Sequence, residues 1–299
     1  MFFKGESRDK VLNYPTAERR GSRRIWELDF LRGLMIILMC LDHLVYDLAF
    51  VFFPPWFEQG GTAARIARFA SQWWDGGLTI LGRTHEIMQL IAHCVFFGLC
   101  GGSTIFSRDN ASRAMKTLLA ASIITLGTYS AAVLEIVERS DIITFGVLHM
   151  LALSTLIVSA VYSMTRLSER YGDQIFVAVS VLLAVGIFLA NHFISVAGVS
   201  TNKWLMFLHS DFSEIAWMGG DYFPLIPYLG YAFAGAAIIT LFYGGGKSLL
   251  PSLDGGWNRP FRFAGKHTLI IVIVHQVVNM LLLALITAAF VDFGNFVIF

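Results

Sequence analysis

The side chains able to do acid–base chemistry within an otherwise apolar chain gather in one stretch, ELDFLRGLMIILMCLDHLVYDLAF, which holds Asp29, Arg32, Asp42, His43 and Asp47. A charge placed in hydrocarbon costs at least about 2.5 kcal/mol on insertion scales, so it is retained where it has a partner or a task. At about 100° per residue, Asp29, Arg32, Ile36, His43 and Asp47 share one helical face, while Asp42 points about 100° away from His43 and requires a neighbour of its own. With a rise of 1.5 Å per residue, His43 lies roughly 20 Å beyond Asp29. Asp29 and Arg32, at i and i+3, are spaced for a structural ion pair, or Arg32 offers its fork to a phosphate or carboxylate. His43 has Asp47 one turn away on its own face, and a carboxylate there holds an imidazole in one tautomer as a general base.

Three further histidines, His93, His149 and His275, each fall inside an apolar run, the last beside Gln276 and one turn from Asn279. A lone intramembrane histidine is more often a satisfied structural donor than a catalyst; depths converging on the charged stretch favour a shared site lined by these residues. The segment GLCGGSTIFSR, Gly98 to Arg108, is followed by Arg113 and Lys116, and Arg262 and Lys266 stand before the last apolar run. The glycines suit close helix packing, and the cations suit an anion pocket for a nucleotide-bearing donor. Neither GxxxxGK[ST] nor GxGxxG occurs there. Cys40, Cys94 and Cys100 form no CxxC pattern and read as small buried hydrophobes; no metal site is expected.

These residues need a membrane to position them. Of 299 residues, 56% are apolar and 14% charged, with a mean hydropathy of +0.64. That excludes a soluble enzyme, a disordered protein and a nucleic-acid binder, and predicts an all-α polytopic bundle. Spans are predicted at 28–53, 87–107, 115–135, 142–164, 175–198, 223–243 and 267–291, with the last six free of Asp, Glu, Lys and Arg between their ends. With the N-terminus cytoplasmic, Lys and Arg number 16 in the inner segments and five in the outer ones, Arg32 lying within a span; this predicts N-terminus inside, C-terminus outside, in a multi-pass protein expected in the cell's inner, cytoplasmic membrane. The chain divides into a basic tail, 1–25, and one transmembrane domain, 26–299. Trp56, Trp73, Trp74, Trp204 and Trp217 fall in two long outer segments, as an interfacial belt or as a cover over an outward-facing site. No internal repeat is visible.

The ordered set DFLRGLMIILMCLDH, FFGLCGGSTIFSR, FGVLHML, FPLIPYLGYAFAG and GKHTLIIVIVHQ resembles bacterial proteins related to the catalytic domain of heparan-alpha-glucosaminide N-acetyltransferase, over about Arg24 to Val278. The resemblance implies transfer of an acetyl or other acyl group from cytoplasmic acyl-CoA across the membrane to an acceptor at the outer face, often a saccharide amine or hydroxyl. It implies Asp29, Arg32 and Gly33 as an inner signature, His43 as the catalytic candidate, and His149 and His275 as site-lining positions. The lysosomal enzyme carries asparagine where this chain has His43, with a histidine in the following loop, so His85, in GRTHE, is the rival base. Acyl-CoA would be held by Asp29, Arg32, Gly33, Arg108, Arg113, Lys116 and Lys266. The alternatives are a proton-coupled transporter or flippase with Asp42, His43 and Asp47 as a relay, and a haem or metal protein with histidine ligands from separate helices. Oligomerisation is left open.

Overall fold

In the computed structural model the described residues are 25–135, 137–168, 170–197, 205–210 and 221–290. They form ten α-helices: α1 Trp26–Phe50, α2 Phe53–Glu58, α3 Gly61–Trp73, α4 Ile80–Gly102, α5 Asn110–Val133, α6 Val147–Thr165, α7 Gly172–Ala197, α8 Leu225–Tyr243, α9 Arg259–Lys266 and α10 Thr268–Phe290. Seven of them (α1, α4, α5, α6, α7, α8 and α10) are long and apolar enough to cross a membrane. The predicted all-α bundle of seven spans is therefore what the chain builds. The tail, Trp204 and Trp217 lie outside the described residues.

Several span boundaries differ from the prediction. Helix α4 begins at Ile80 rather than 87, with Thr79 Oγ1 accepting from Gly82 N. His85, expected in a loop, is consequently helical, and α4 carries Arg83 and Glu86. Helix α5 likewise starts early because Asp109 Oδ1 accepts from Ser112 N, which brings Arg113 into it and sets Lys116 two turns inside its start. Spans free of charge between their ends were thus not found for α4 and α5: side-chain caps nucleate helix in polar sequence that a hydropathy window discards. Helix α6 starts later, at Val147, because residues 142–146 are not helical. There Phe145 and Gly146 are buried, and Phe145 O accepts from Phe223 N. Non-helical backbone of this kind is tolerated where other protein groups satisfy it.

Small residues set the closest packing. A Cβ at Gly101 would stand 2.0 Å from Ala232 O and one at Gly235 2.1 Å from Gly98 Cα, so α4 and α8 touch backbone to backbone. The short helix α9 docks on α1 in the same way, a Cβ at Gly33 falling 1.7 Å from Phe261 O and one at Gly265 1.9 Å from Asp29 O. Glu27, 5% exposed, secures the chain before α9 by accepting from Ser248 Oγ and Leu250 N. At the other end of α1, Leu48, Ala49 and Phe52 form a core with Trp56, Ala67, Ala70 and Leu283, which seats α2 and α3 on α1 and α10.

Candidate active site

The N-terminal half of α1, the end of α4, the start of α5, one side of α6 and the α9–α10 junction enclose a cavity of about 1120 Å³. Its mouth is lined by Arg32, Arg108, Arg113, Lys116 and Lys266, and among the described residues Asp29 is the single carboxylate in its wall. Asp29 Oδ1 accepts from Arg32 Nη1 at 2.8 Å, which realises the i, i+3 pair. Arg113 differs: its Nη2 is buried and has no hydrogen-bond partner. Such a nitrogen costs of order 1–3 kcal/mol or more until an acceptor meets it. Gly33 is not part of the wall; it is the contact point for α9, which carries Lys266. Arg262 donates to Asp254 Oδ1 at 2.5 Å and lies outside the wall. Cys100 does line the cavity, its Sγ 3.5 Å from Thr155 Oγ1; all three cysteines are free.

Deeper in, the wall becomes apolar, with Phe96, Leu148, Leu151, Leu269 and Val272. Leu148 and Val272 cluster with Ile36 of α1, so α6 begins level with the middle of α1. Beyond Val272 lie the histidines. His275 donates from Nδ1 to Val272 O at 2.7 Å, and its Nε2 is buried and unpartnered. His43 donates from Nδ1 to Met39 O at 2.9 Å, its ring edge-on to His275 with centroids 4.9 Å apart. A carbonyl can only accept, so both Nδ1 atoms carry protons, and whenever the ring is neutral its Nε2 is the atom with the lone pair. His43 itself is not in the cavity wall.

Asp47 is 1% exposed and accepts from Gln276 Nε2 at 2.7 Å, while Asn279 Nδ2 donates to Cys40 O. The expected hydrogen bond from Asp47 to the His43 ring is absent. His43 Nδ1 turns back to its own helix and Gln276 takes the carboxylate, leaving Asp47 within electrostatic reach of His43 but not bonded to it.

Asp42 faces the other side, toward α3 and α4. His85 Nε2 lies 2.9 Å from Asp42 Oδ1, the same oxygen that accepts from Trp73 Nε1 at 3.0 Å, and Gln89 Nε2 reaches Oδ2 at 3.5 Å. The His85 ring, 4% exposed, lies between Trp73 and Trp74, with centroids 4.9 and 4.3 Å away. Trp56 donates to Thr287 Oγ1 and is buried. Of these three tryptophans Trp56 is buried, while Trp73 and Trp74 are part-buried and hold polar or ring partners on α1 and α4. Neighbouring residues of α1 therefore serve two stations, one against α10 and one against α4.

His93 lies on α4 two turns beyond His85, its ring against Phe223 and Tyr228 and within electrostatic reach of Asp42. His149 occupies the first turn of α6, and its Nδ1 accepts from Gly146 N at 3.3 Å, so its proton sits on Nε2, the reverse of His43 and His275.

One residue escaped the sequence reading. Asp221 Oδ2 accepts from Val147 N at 3.1 Å, capping α6 from a distant loop, and lies within electrostatic reach of His43. Desolvation holds its carboxyl above the ordinary carboxylate range, opposed by the Val147 N–H and by His43. No local pattern marks it, since the partner it caps is 74 residues away in the chain. Among the described residues no group of three or more His, Cys, Asp and Glu side chains converges as a metal site requires.

No curated protein and no solved structure matches the chain. The profile of heparan-alpha-glucosaminide N-acetyltransferase, catalytic, matches residues 24–277, the same stretch that supplies both stations and the cavity wall, and the chain belongs to that family of transmembrane acetyltransferases.

Proposed function

We propose that the protein transfers an acetyl or short acyl group from cytoplasmic acyl-CoA to an amine or hydroxyl, a saccharide's by family, at the opposite face of the membrane. The observation that carries this is the unpartnered Arg113 Nη2 in a cavity whose mouth holds five cations and one carboxylate. A diphosphate and a ribose phosphate satisfy such a set, guanidinium forks pairing with phosphate oxygens. A relay transporter has no need of a basic-mouthed cavity of this size.

In this reading Arg32, Arg108, Arg113, Lys116 and Lys266 hold the phosphates, and the apolar wall from Phe96 to Val272 takes the pantetheine arm and brings the thioester toward His275 and His43. The acceptor's lone pair attacks the thioester carbonyl. A new C–N or C–O bond forms, the C–S bond breaks, and the acceptor's proton passes through a histidine Nε2 to the departing thiolate, as general acid–base catalysis requires. Asp47, held by Gln276, favours the transient imidazolium. His93 and His149 line the path, Asn279 braces α10 on α1, and Asp42 with His85 forms the acceptor-side station.

The test uses Cys100 as a reporter in a Cys40→Ser, Cys94→Ser background. Acetyl-CoA is expected to protect Cys100 from maleimide and to raise the melting temperature. Arg113→Ala should weaken donor binding roughly tenfold to a hundredfold, the worth of a lost charged hydrogen bond. His43→Ala and His275→Ala should leave donor binding intact while lowering turnover by about 10² or more. Unprotected Cys100 together with no thiol release from acetyl-CoA would overturn the assignment.

A further inference from the structure

Helix α3 is bracketed by two pairs of glycines with positive φ: Gly60 and Gly61 at 76° and 55°, and Gly76 and Gly77 at 67° and 82°. A Cβ at Gly60, Gly61 or Gly76 would meet nothing within 4 Å. The left-handed backbone, not crowding, is what calls for glycine at these three positions. Between the pairs, α3 is attached lightly. Its buried residues are Ala64, Ala67 and Ala70, side chains of one methyl each, while Ile66 and Phe69 are 41% and 49% exposed. Apolar stabilisation scales with the area removed from water, so these methyls hold the body of the helix weakly, and its larger contacts are the rings of Trp73 and Trp74 at the C-terminal end.

The polar attachments lie at its C-terminal end. Gln72 O accepts from Thr79 Oγ1, and Trp73 Nε1 donates to Asp42 Oδ1. Two polar groups there are buried without partners, Trp74 Nε1 and Asp75 Oδ2. The Trp74 ring lies against His85, and Asp75 packs on Gly82, three residues before His85 on α4; His85 Nε2 approaches Asp42 at ion-pair distance without a hydrogen bond of good direction. An unmet donor and an unmet acceptor next to a His–carboxylate pair form an incomplete polar site, because buried groups of this kind are normally satisfied.

Resting on the acyltransferase reading, we propose that the acceptor binds where the Trp73 indole now sits. Its N–H or O–H replaces the indole N–H on Asp42 beside His85, and α3 swings on its two glycine pairs to admit it. The indole is a stand-in donor: an N–H on a flat ring, aimed at the carboxylate that the acceptor must reach. The ligand class follows from the partners. It is a small ring compound with a hydroxyl or amine for Asp42 and His85, a further donor for Asp75 Oδ2, a further acceptor for Trp74 Nε1, and a face to lie on the Trp74 ring. While Trp73 is in place, water is kept from His85, which protects the thioester from hydrolysis.

The experiment follows His85 directly, using the full chain in detergent. Diethylpyrocarbonate modification of His85, read by peptide mass spectrometry, is expected to be slow in the native protein and at least several-fold faster in Trp73→Phe, which keeps the ring and removes the N–H. Modification of His275 should be unchanged. Acetyl-CoA hydrolysis with water as the only acceptor should rise in step. A complementary variant locks the gate. An ideal Cβ at Gly82 lies 2.8 Å from the Asp75 carboxyl carbon, so Asp75→Cys with Gly82→Cys, in a background with Cys40, Cys94 and Cys100 replaced by serine, is within disulfide reach. Oxidation should slow His85 modification and thioester turnover, dithiothreitol should restore both, and the acetyl-CoA thermal shift should persist throughout. Equal His85 reactivity in native and Trp73→Phe protein, or an oxidised pair as reactive at His85 as the reduced one, would overturn the gate. Loss of the thermal shift in native protein would instead overturn the donor reading, and His85 reactivity would still decide on the gate.

Discussion

At the scale of single residues, hydrogen-bond partners divide the histidines more sharply than sequence position does. His43 and His275 carry a proton on Nδ1, whereas His149 accepts at Nδ1 and carries its proton on Nε2. Their existence inside apolar runs was legible in the sequence, but their tautomers were not, because each depends on a particular backbone group nearby. Asp221 was not legible at all, and its titration provides a test of its placement. Its folded-state pKa is raised by desolvation, so the folded protein holds this proton more tightly than the unfolded chain does. The stability gained from that proton is fully present below the ordinary carboxylate value and is lost as pH rises through the raised value. Asp221→Asn does not titrate and keeps an oxygen for Val147 N. Its melting temperature should therefore gain on the native protein as pH increases through that window, the gap being smallest in acid. A gap that narrows with rising pH would mean that the carboxylate is stabilised in place, by a charged His43 or another cation.

At the scale of elements, hydropathy located all seven spanning helices, and capping side chains then moved their ends. Thr79 and Asp109 are polar cap residues in polar neighbourhoods, where a window average sees only a loop. The shift matters at the site because it places His85 on a rigid helix facing Asp42 and brings Arg113 into the cavity wall. Glycine roles were readable only in part. The run Gly98 to Gly102 suggested helix packing, and its contacts with α8 agree. Gly33 looked like part of a binding signature, yet its Cβ position coincides with a carbonyl of α9. A methyl there cannot be accommodated without displacing backbone, and overpacking of this kind costs about 1–3 kcal/mol or more. Gly33→Ala should consequently lower the melting temperature and weaken acetyl-CoA binding together, since α9 carries Lys266. Gly127→Ala, in the interior of α5 with nothing within 4 Å of its Cβ, should be neutral or stabilising by about 0.5–1 kcal/mol. Thermal denaturation of the pair separates lost docking from a general intolerance of added methyls.

At the scale of the whole molecule, the two ends of the bundle differ in chemistry. One end carries the basic cavity at the start of α1, and the other carries α3, its tryptophans and the Asp42–His85 pair. Helix α1 runs from one end to the other, so on the proposed reading a donor held at the basic end and an acceptor held at the Asp42–His85 end would meet along α1 without either crossing. This arrangement requires the basic end to face the compartment that contains acyl-CoA, as the bias of Lys and Arg predicts. Two exposed serines report on it: Ser252, between α8 and α9 on the cavity side, and Ser140, between α5 and α6 on the opposite side. In a protein freed of its native cysteines, Ser140→Cys should react with a membrane-impermeant maleimide in intact cells, and Ser252→Cys only after permeabilisation. The reverse pattern would turn the cavity away from the CoA pool and leave the cationic mouth without a donor to bind. The orientation experiment therefore tests the proposed catalytic reading as well as the topology, because four of the five cations proposed to hold the donor, Arg108, Arg113, Lys116 and Lys266, also count toward the Lys and Arg bias.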